Sequence, residues 1–314
     1  MIKQTLYFSS PAYLSLRNKQ LVVRLPEVER NETLPDTLKE KSVATRPVED
    51  IGLLILDHQQ ITVTHGLLTA LLENNVAVIH CNEAHHPVGM MLNLDGHTLQ
   101  TQRFKAQVEA SEPLKKQLWQ QTVVAKIENQ AAALAALGKE VKKMEYLARS
   151  VKSGDADNCE ARAAAYYWSV LFSDYIPHFV RGREEAPPNN LLNYGYAILR
   201  GAVARALVGS GLLPTLGIFH RNQYNAYCLA DDVMEPYRPF VDRAALACMQ
   251  KGEDISELSK TVKSQLLSVM SQDTFFGKEC SPLMVGLTKT TASLSACFEG
   301  KRRKITYPVL YVAT

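Results

Sequence analysis

The chain has 314 residues, 46% hydrophobic and 21% charged, which allows one large or two ordinary domains with a sizeable core and excludes wholesale disorder. Its net charge of +3 is mildly basic and by itself assigns no nucleic-acid role. Six cysteines (Cys81, Cys159, Cys228, Cys248, Cys280, Cys297) are scattered without a CxxC pair, so they read as reduced thiols and not as a disulfide framework or zinc site.

The N-terminal MIKQTLYFSS lacks the apolar core of a signal peptide. No apolar run approaches the roughly 20 residues that span a bilayer. The expectation is a soluble, cytoplasmic protein with no membrane partner.

The first hundred residues read as β-rich. Thr5 to Phe8 is a strand, and Ala12 to Leu16 and Gln20 to Leu25 flank Arg17-Asn18-Lys19 as a hairpin. Pro26 to Thr45 is polar and charged, and reads as a loop or an extended hairpin tip. The apolar run Leu53 to Leu56 suits a buried strand, Ile61 to Thr64 another. His65 to Glu73 is a short helix ended by Asn74-Asn75, and Val76 to His80 and Val88 to Leu94 close the set. His85 and His86, near His80 and Cys81, have no matching second pair for zinc and read as loop residues.

After Asp95-Gly96 the texture becomes helical, so the domain boundary is placed near Asp95 to Thr98. The fold class is α+β: a small N-terminal β domain, residues 1–96, then a larger all-α domain, residues 97–314. Lys105 to Met144 sustains no heptad seam and reads as packed helices. Asp157 or Asn158 caps the next helix, CEARAAAYYWSVLFSDY, whose first turn carries Glu160; a carboxylate there also suits the helix dipole alone. Phe179 to Asn189 is a loop, Asn190 to Ala206 a helix, and Ile305 to Val312 a final strand.

Gly217 to Val241, GIFHRNQYNAYCLADDVMEPYRPFV, anchors the chain. If Tyr224 to Glu235 is helical, Asp232 and Glu235, three apart, share a face. An imidazole from His220 and carboxylates converging on one point suit Mg²⁺ or Mn²⁺. On spacing alone, a loop histidine beside a solvated acidic helix end fits as well.

Read together, GDADNCEARAAAYYW, PNNLLNYGYAILR at Pro188 to Arg200, GIFHRNQYNAYCLADDVMEPYRPFVD at Gly217 to Asp242 and the N-terminal strands with RPVEDIGLLILD resemble the integrase subunit of CRISPR adaptation, the universal spacer-acquisition protein Cas-one. The flavour is that of type II systems. The third motif is the most specific, an acid fifteen residues after a histidine inside LADDVMEPYRP. Pro26 to Thr45 and the stretch after Lys251 match only loosely.

The resemblance implies catalytic, metal-holding residues at Glu160, His220 and Glu235, with Asp232 a further acid near the site and Asp231 a weaker candidate. It implies Mg²⁺ or Mn²⁺, no nucleotide cofactor, a homodimer, a heterohexamer in which two such dimers clamp a Cas-two dimer, and double-stranded DNA as captured spacer and CRISPR repeat. The implied reaction is transesterification. The 3′-hydroxyl of captured DNA attacks a repeat phosphodiester, and the chain has no Walker-type phosphate loop, which fits an exchange that needs no energy source.

DNA-backbone candidates are Arg181, Arg183, Arg221 and Arg238, with Arg221 and Arg238 flanking the site. Arg200, Arg205 and the Lys301-Arg302-Arg303-Lys304 cluster read equally as surface charges. Tyrosine-recombinase chemistry lacks its Arg/His set, and no GxSxG marks a serine hydrolase. The alternatives are a stand-alone metal-dependent endonuclease, with water in place of the 3′-hydroxyl, and a non-catalytic DNA-binding scaffold.

Overall fold

A computed structural model describes residues 3–182 and 184–310. The chain divides into two compact units, Met1–Leu94 and Asp95–Thr314.

The first unit contains two four-stranded sheets. Its elements are β1 (Gln4–Phe8), β2 (Ala12–Arg17), β3 (Gln20–Arg24), α1 (Pro26–Glu29), α2 (Asp36–Lys41), β4 (Ala44–Pro47), β5 (Ile51–Leu56), β6 (Ile61–Val63), α3 (His65–Glu73), β7 (Ala77–Cys81) and β8 (Pro87–Met91). One sheet runs β1-β5-β7-β8, with β1, β5 and β7 parallel and β8 antiparallel. The other runs β4-β3-β2-β6. Strand β5 is buried at every position, as a continuous apolar run in a parallel sheet requires. Leu14, Leu21, Ile51, Leu54, Leu67, Leu71 and Val78 form one core shared by both sheets and α3.

The β2–β3 turn forms where expected, with Asn18 and Lys19 at positive φ. Pro26 to Thr45 is the extended tip of a hairpin, since β3 and β4 pair antiparallel on either side of it; the tip is not irregular but carries α1 and α2 before the start of β4. Pro26 stands at the first helical position of α1, where its missing N–H costs nothing. The helices are four and six residues long and bury none of their residues, so no apolar periodicity announced them.

The second unit comprises α4 (Gln100–Val108), α5 (Glu112–Ala135), α6 (Lys142–Ser150), α7 (Cys159–Leu171), α8 (Asn189–Gly209), α9 (Cys228–Met234), α10 (Arg238–Gln250), α11 (Lys260–Ser268), β9 (Asp273–Phe276), β10 (Glu279–Pro282) and α12 (Leu283–Phe298). It is helical apart from the β9–β10 hairpin, a departure from an all-α reading. Ser111 caps α5 by accepting the Leu114 N–H. Helix α8 is buried around most of its circumference, which makes it a central element.

Ile305 to Leu310 is not a strand; within it only Val309 makes a β-bridge, to Phe275, and residues 311–312 lie outside the described residues. Side chains take up its backbone instead: Gln121 Oε1 accepts the Ile305 N–H, Ser293 Oγ that of Thr306 and Asn129 Oδ1 that of Leu310. No helix among the described residues is long and apolar enough to cross a membrane.

Candidate functional site

The site begins on α5. Its buried stripe runs through Trp119, Thr122, Val123, Lys126, Ile127, Gln130 and Leu134, at helical spacing. Among the buried residues of that helix only Lys126 carries a charge. Its ammonium contacts Glu160 Oε1 and lies 2.6 Å from Glu235 Oε2.

Glu160 reaches this point from the first turn of α7. The helix is not capped by Asp157 or Asn158: Asn158 sits at φ 52° and makes no side-chain cap bond. Asp155 does the work, its carboxylate accepting the N–H groups of Cys159 at 2.8 Å and Glu160 at 3.0 Å. The cap therefore fixes the backbone of the residue that faces Lys126.

Glu235 opens the 3₁₀ turn Glu235–Tyr237 after α9. Asn129, one turn beyond Lys126, donates to the Pro236 carbonyl at 2.7 Å and the Pro308 carbonyl at 3.0 Å, tying that turn to α5. Arg238 Nε lies 2.9 Å from Glu235 Oε1, and its guanidinium stacks over the Tyr196 ring, 4.5 Å to the centroid. Glu235 is 5% exposed. Burial alone raises its carboxyl pKa, yet Arg238 and Lys126 outweigh it, and the net shift is downward. Its Oε2 is the oxygen that pairs with Lys126.

His220 is built by a different device. Asp232, fully buried on α9, accepts the N–H of Ile218 at 2.7 Å and of Phe219 at 2.9 Å on Oδ2, and that of His220 at 3.2 Å on Oδ1. The same Oδ1 lies 2.6 Å from His220 Nδ1. Burial pushes the Asp232 carboxyl above its ordinary value, and the hydrogen bonds from His220 and the backbone N–H groups offset part of that rise. The hydrogen bond to Asp232 raises His220 above an ordinary imidazole. Trp119 stacks on Phe219 at 4.2 Å, and both rings meet the His220 ring nearly edge-on. The ring is thus held on three sides, leaving Nε2 as the nitrogen for a ligand.

Helix α9 starts at Cys228, not Tyr224. Asn222 and Asn225 hydrogen-bond forward to the N–H groups of Tyr224 and Tyr227, holding the chain in turns. Asp232 and Glu235 therefore serve different partners, one His220 and the other Lys126 and Arg238. Asp231 pairs with Arg200 at 2.6 Å and accepts from Asn225.

Of the basic residues, Arg221 contacts Glu112 and is 62% exposed at its side chain, beside a cleft of about 440 Å³ lined also by Lys115, His220, Asn222 and Asn225. Arg181 donates to Gly182 O, Asn189 Oδ1 and Asn193 Oδ1, so its guanidinium is taken up in folding its own loop. Arg183 lies outside the described residues.

Lys126 was not singled out by motif reading. A lysine on the apolar stripe of an amphipathic helix was its available signal, because such a side chain needs a buried anion.

Among the described residues, no group of three His, Cys, Asp or Glu side chains is gathered tightly enough to hold a metal ion. Two carboxylates do share one cation, the Lys126 ammonium. Hard oxygen donors around a cation suit Mg²⁺ or Mn²⁺, so the pair fits such an ion at the position Lys126 fills.

Residues 6–277 match the family model described as CRISPR associated protein Cas1, the Cas-one named above. A CRISPR-associated endonuclease Cas1 from Neisseria meningitidis serogroup C is 37% identical over 262 residues, covering 83% of this chain and 85% of the relative. Another, from Francisella tularensis subsp. novicida, is 31% identical over 166 residues, 46% of this chain and 52% of that one. Among solved structures, a casposase bound to integration product superposes with a TM-score of 0.77 at 18% identity, covering 100% of this chain and 96% of that one. A Cas1 protein from Thermotoga maritima gives 0.70 at 13% identity, covering 95% and 98%. The superpositions speak for the fold, and the family match and the 37% relative for descent. On these grounds the chain belongs to the CRISPR-associated Cas1 family.

Proposed function

We propose that this protein is a metal-dependent DNA integrase of CRISPR adaptation that joins 3′-hydroxyl ends of captured DNA to the CRISPR repeat by transesterification. The observation that carries it is the convergence of Glu160 and Glu235, 75 positions apart in the chain, on one cation, beside a histidine fixed by a buried aspartate.

Glu160 and Glu235 are the residues that hold the divalent ion, with His220 as third ligand or as donor to the scissile phosphate. The ion, when bound, supplies positive charge against the negative charge that accumulates at phosphorus. An imidazole in the ligand set favours Mn²⁺ somewhat over Mg²⁺. Asp232 orients His220 by holding Nδ1; in the ligand role Nε2 offers its lone pair to the ion, and in the donor role Asp232 stabilises the protonated ring, whose Nε2 proton goes to a phosphate oxygen or the departing 3′-oxygen. Arg238 keeps Glu235 ionised. Arg221 and Lys115 give the adjoining cleft cationic contacts for the DNA backbone, which are independent of sequence.

The working assembly in this reading is a homodimer, two of which flank a Cas2 dimer and hold double-stranded DNA. Relatives named endonucleases favour a second reading, hydrolysis with water in place of the 3′-hydroxyl at the same residues. Incubation with Cas2, a short duplex with free 3′-hydroxyls and supercoiled repeat DNA separates the two. Joined product is expected; nicking without joining indicates the nuclease, and DNA binding without either indicates a scaffold.

A further inference from the structure

Lys126 is 7% exposed, its stem is packed in the helical core, and its ammonium contacts both Glu160 and Glu235. Arg238 stands on the other oxygen of Glu235. Two anions are thereby balanced by two cations. A divalent ion added to that set would meet no uncompensated anion and would face the Lys126 charge across a few ångströms.

We propose that Lys126 is a displaceable internal cation: its ammonium fills the place between Glu160 and Glu235 that the divalent ion takes, so metal enters as Lys126 leaves, and DNA phosphate is the anion that draws it out. The proposal rests on the reading of Glu160 and Glu235 as the metal-holding pair.

Three observations support it. First, the lysine stem is a flexible four-carbon chain with a compact charge at its end, suited to moving that charge without moving the helix. Second, Glu160 is 29% exposed at its side chain while Glu235 is 7% exposed, so the pair opens toward solvent on the α7 side. Third, Lys126 meets Glu235 Oε2 as an ion pair at 2.6 Å, and the cation of an ion pair can be exchanged for another cation. The consequence is thermodynamic coupling. Metal and DNA bind this site better together than apart, and each strengthens the other by the same factor.

The test is Mn²⁺ affinity, read by electron paramagnetic resonance on the full chain with and without a short DNA duplex. In wild type the duplex is expected to tighten Mn²⁺ by about tenfold, within the range usual for coupled sites. Lys126→Met is expected to tighten Mn²⁺ in the absence of DNA by a similar factor and to lose most of the DNA effect. Lys139→Met, which removes a distant charge paired with Asp174 at 2.6 Å, controls for net charge and should match wild type. Glu160→Gln tests the underlying reading: if it binds Mn²⁺ as well as wild type, the pair does not hold the metal and the proposal falls with it. If Glu160→Gln loses the ion while Lys126→Met equals wild type with and without DNA, the Lys126 proposal alone is overturned.

Should Lys126→Met not fold, amine labelling of wild type followed by mass spectrometry gives the same answer. Lys126 is expected to be protected without metal and labelled at saturating Mn²⁺. Unchanged protection with Mn²⁺ bound overturns the proposal.

Discussion

At the scale of single residues, charges buried in sets decide what each substitution does. Glu235→Ala leaves the buried Lys126 and the part-buried Arg238 without their shared anion, and breaking a buried pair in this way costs ~3–5 kcal/mol. Glu160→Ala removes a part-exposed carboxylate while Glu235 still balances Lys126, so a loss of about 1 kcal/mol or less is expected. Urea unfolding of the two variants checks the ordering, and equal stabilities would contradict it. For assays of chemistry, Glu235→Gln is therefore a better variant than Glu235→Ala.

Asp242 gives a pH signature away from the site. Its carboxyl is 1% exposed, accepts from Tyr167 Oη at 2.9 Å and from Tyr196, and burial pushes its pKa up to about 7. An unfolded aspartate titrates near about 4. The folded state thus holds the proton more tightly, so this contribution to stability is full below about pH 4 and is lost as pH rises through about 7. The slope is at most about 1.4 kcal/mol per pH unit. Thermal melts between about pH 5 and pH 8 should show wild type losing stability relative to Asp242→Asn. A constant difference across that range would remove Asp242 from the account.

At the scale of elements, the loop from Gly217 to Tyr227 shows what sequence patterns carry and what they omit. The resemblance led to His220, Asp232 and Glu235 because the motif keeps their order. It did not say that Asp232 and Glu235 serve separate partners, since that depends on α5 lying across the turn. Nor did helical spacing foresee that asparagine side chains delay α9 to Cys228. A β-carbon on Gly217 would sit 2.4 Å from the His220 carbonyl oxygen and 2.8 Å from Asp232 Oδ2. Gly217→Ala should therefore displace the histidine loop and depress activity at least as far as Asp232→Ala, which orphans three backbone N–H groups. Near-wild-type joining by Gly217→Ala would contradict this geometry. The α7 cap belongs to the same scale: Asp155→Ala is expected to cost about 1 kcal/mol, measurable by urea unfolding.

Extended segments were the harder elements to read. Ile305 to Leu310 has strand-like residues, yet its N–H groups go to Gln121, Ser293 and Asn129 side chains. Alternation in a sequence reports an extended backbone and does not say whether its partner is a strand or a set of amides. The β9–β10 hairpin was missed for a related reason, being two four-residue strands between helices.

At the scale of the whole molecule, a β-rich first part followed by a mostly helical remainder was legible in the change of texture along the chain. The site was legible only as residue types in order. Its balanced charge cluster depends on Lys126, which no motif included. In the proposed reading the protein works as a homodimer, so light scattering in solution should report about twice 35.0 kDa. A monomer at micromolar concentration would count against that assembly.

The most direct test of the central claim is strand joining in vitro, with purified protein, Cas2, a short duplex with 3′-hydroxyls and a plasmid carrying the repeat. Wild type, Glu160→Gln and His220→Ala are compared with Mn²⁺ and with chelator, after their folds are verified. The account predicts joined product from wild type with metal alone, and a loss of at least about a hundredfold in either variant, the scale of acid–base and electrostatic terms. Joining by folded Glu160→Gln and His220→Ala at the wild-type rate, or joining by wild type in chelator, would contradict it.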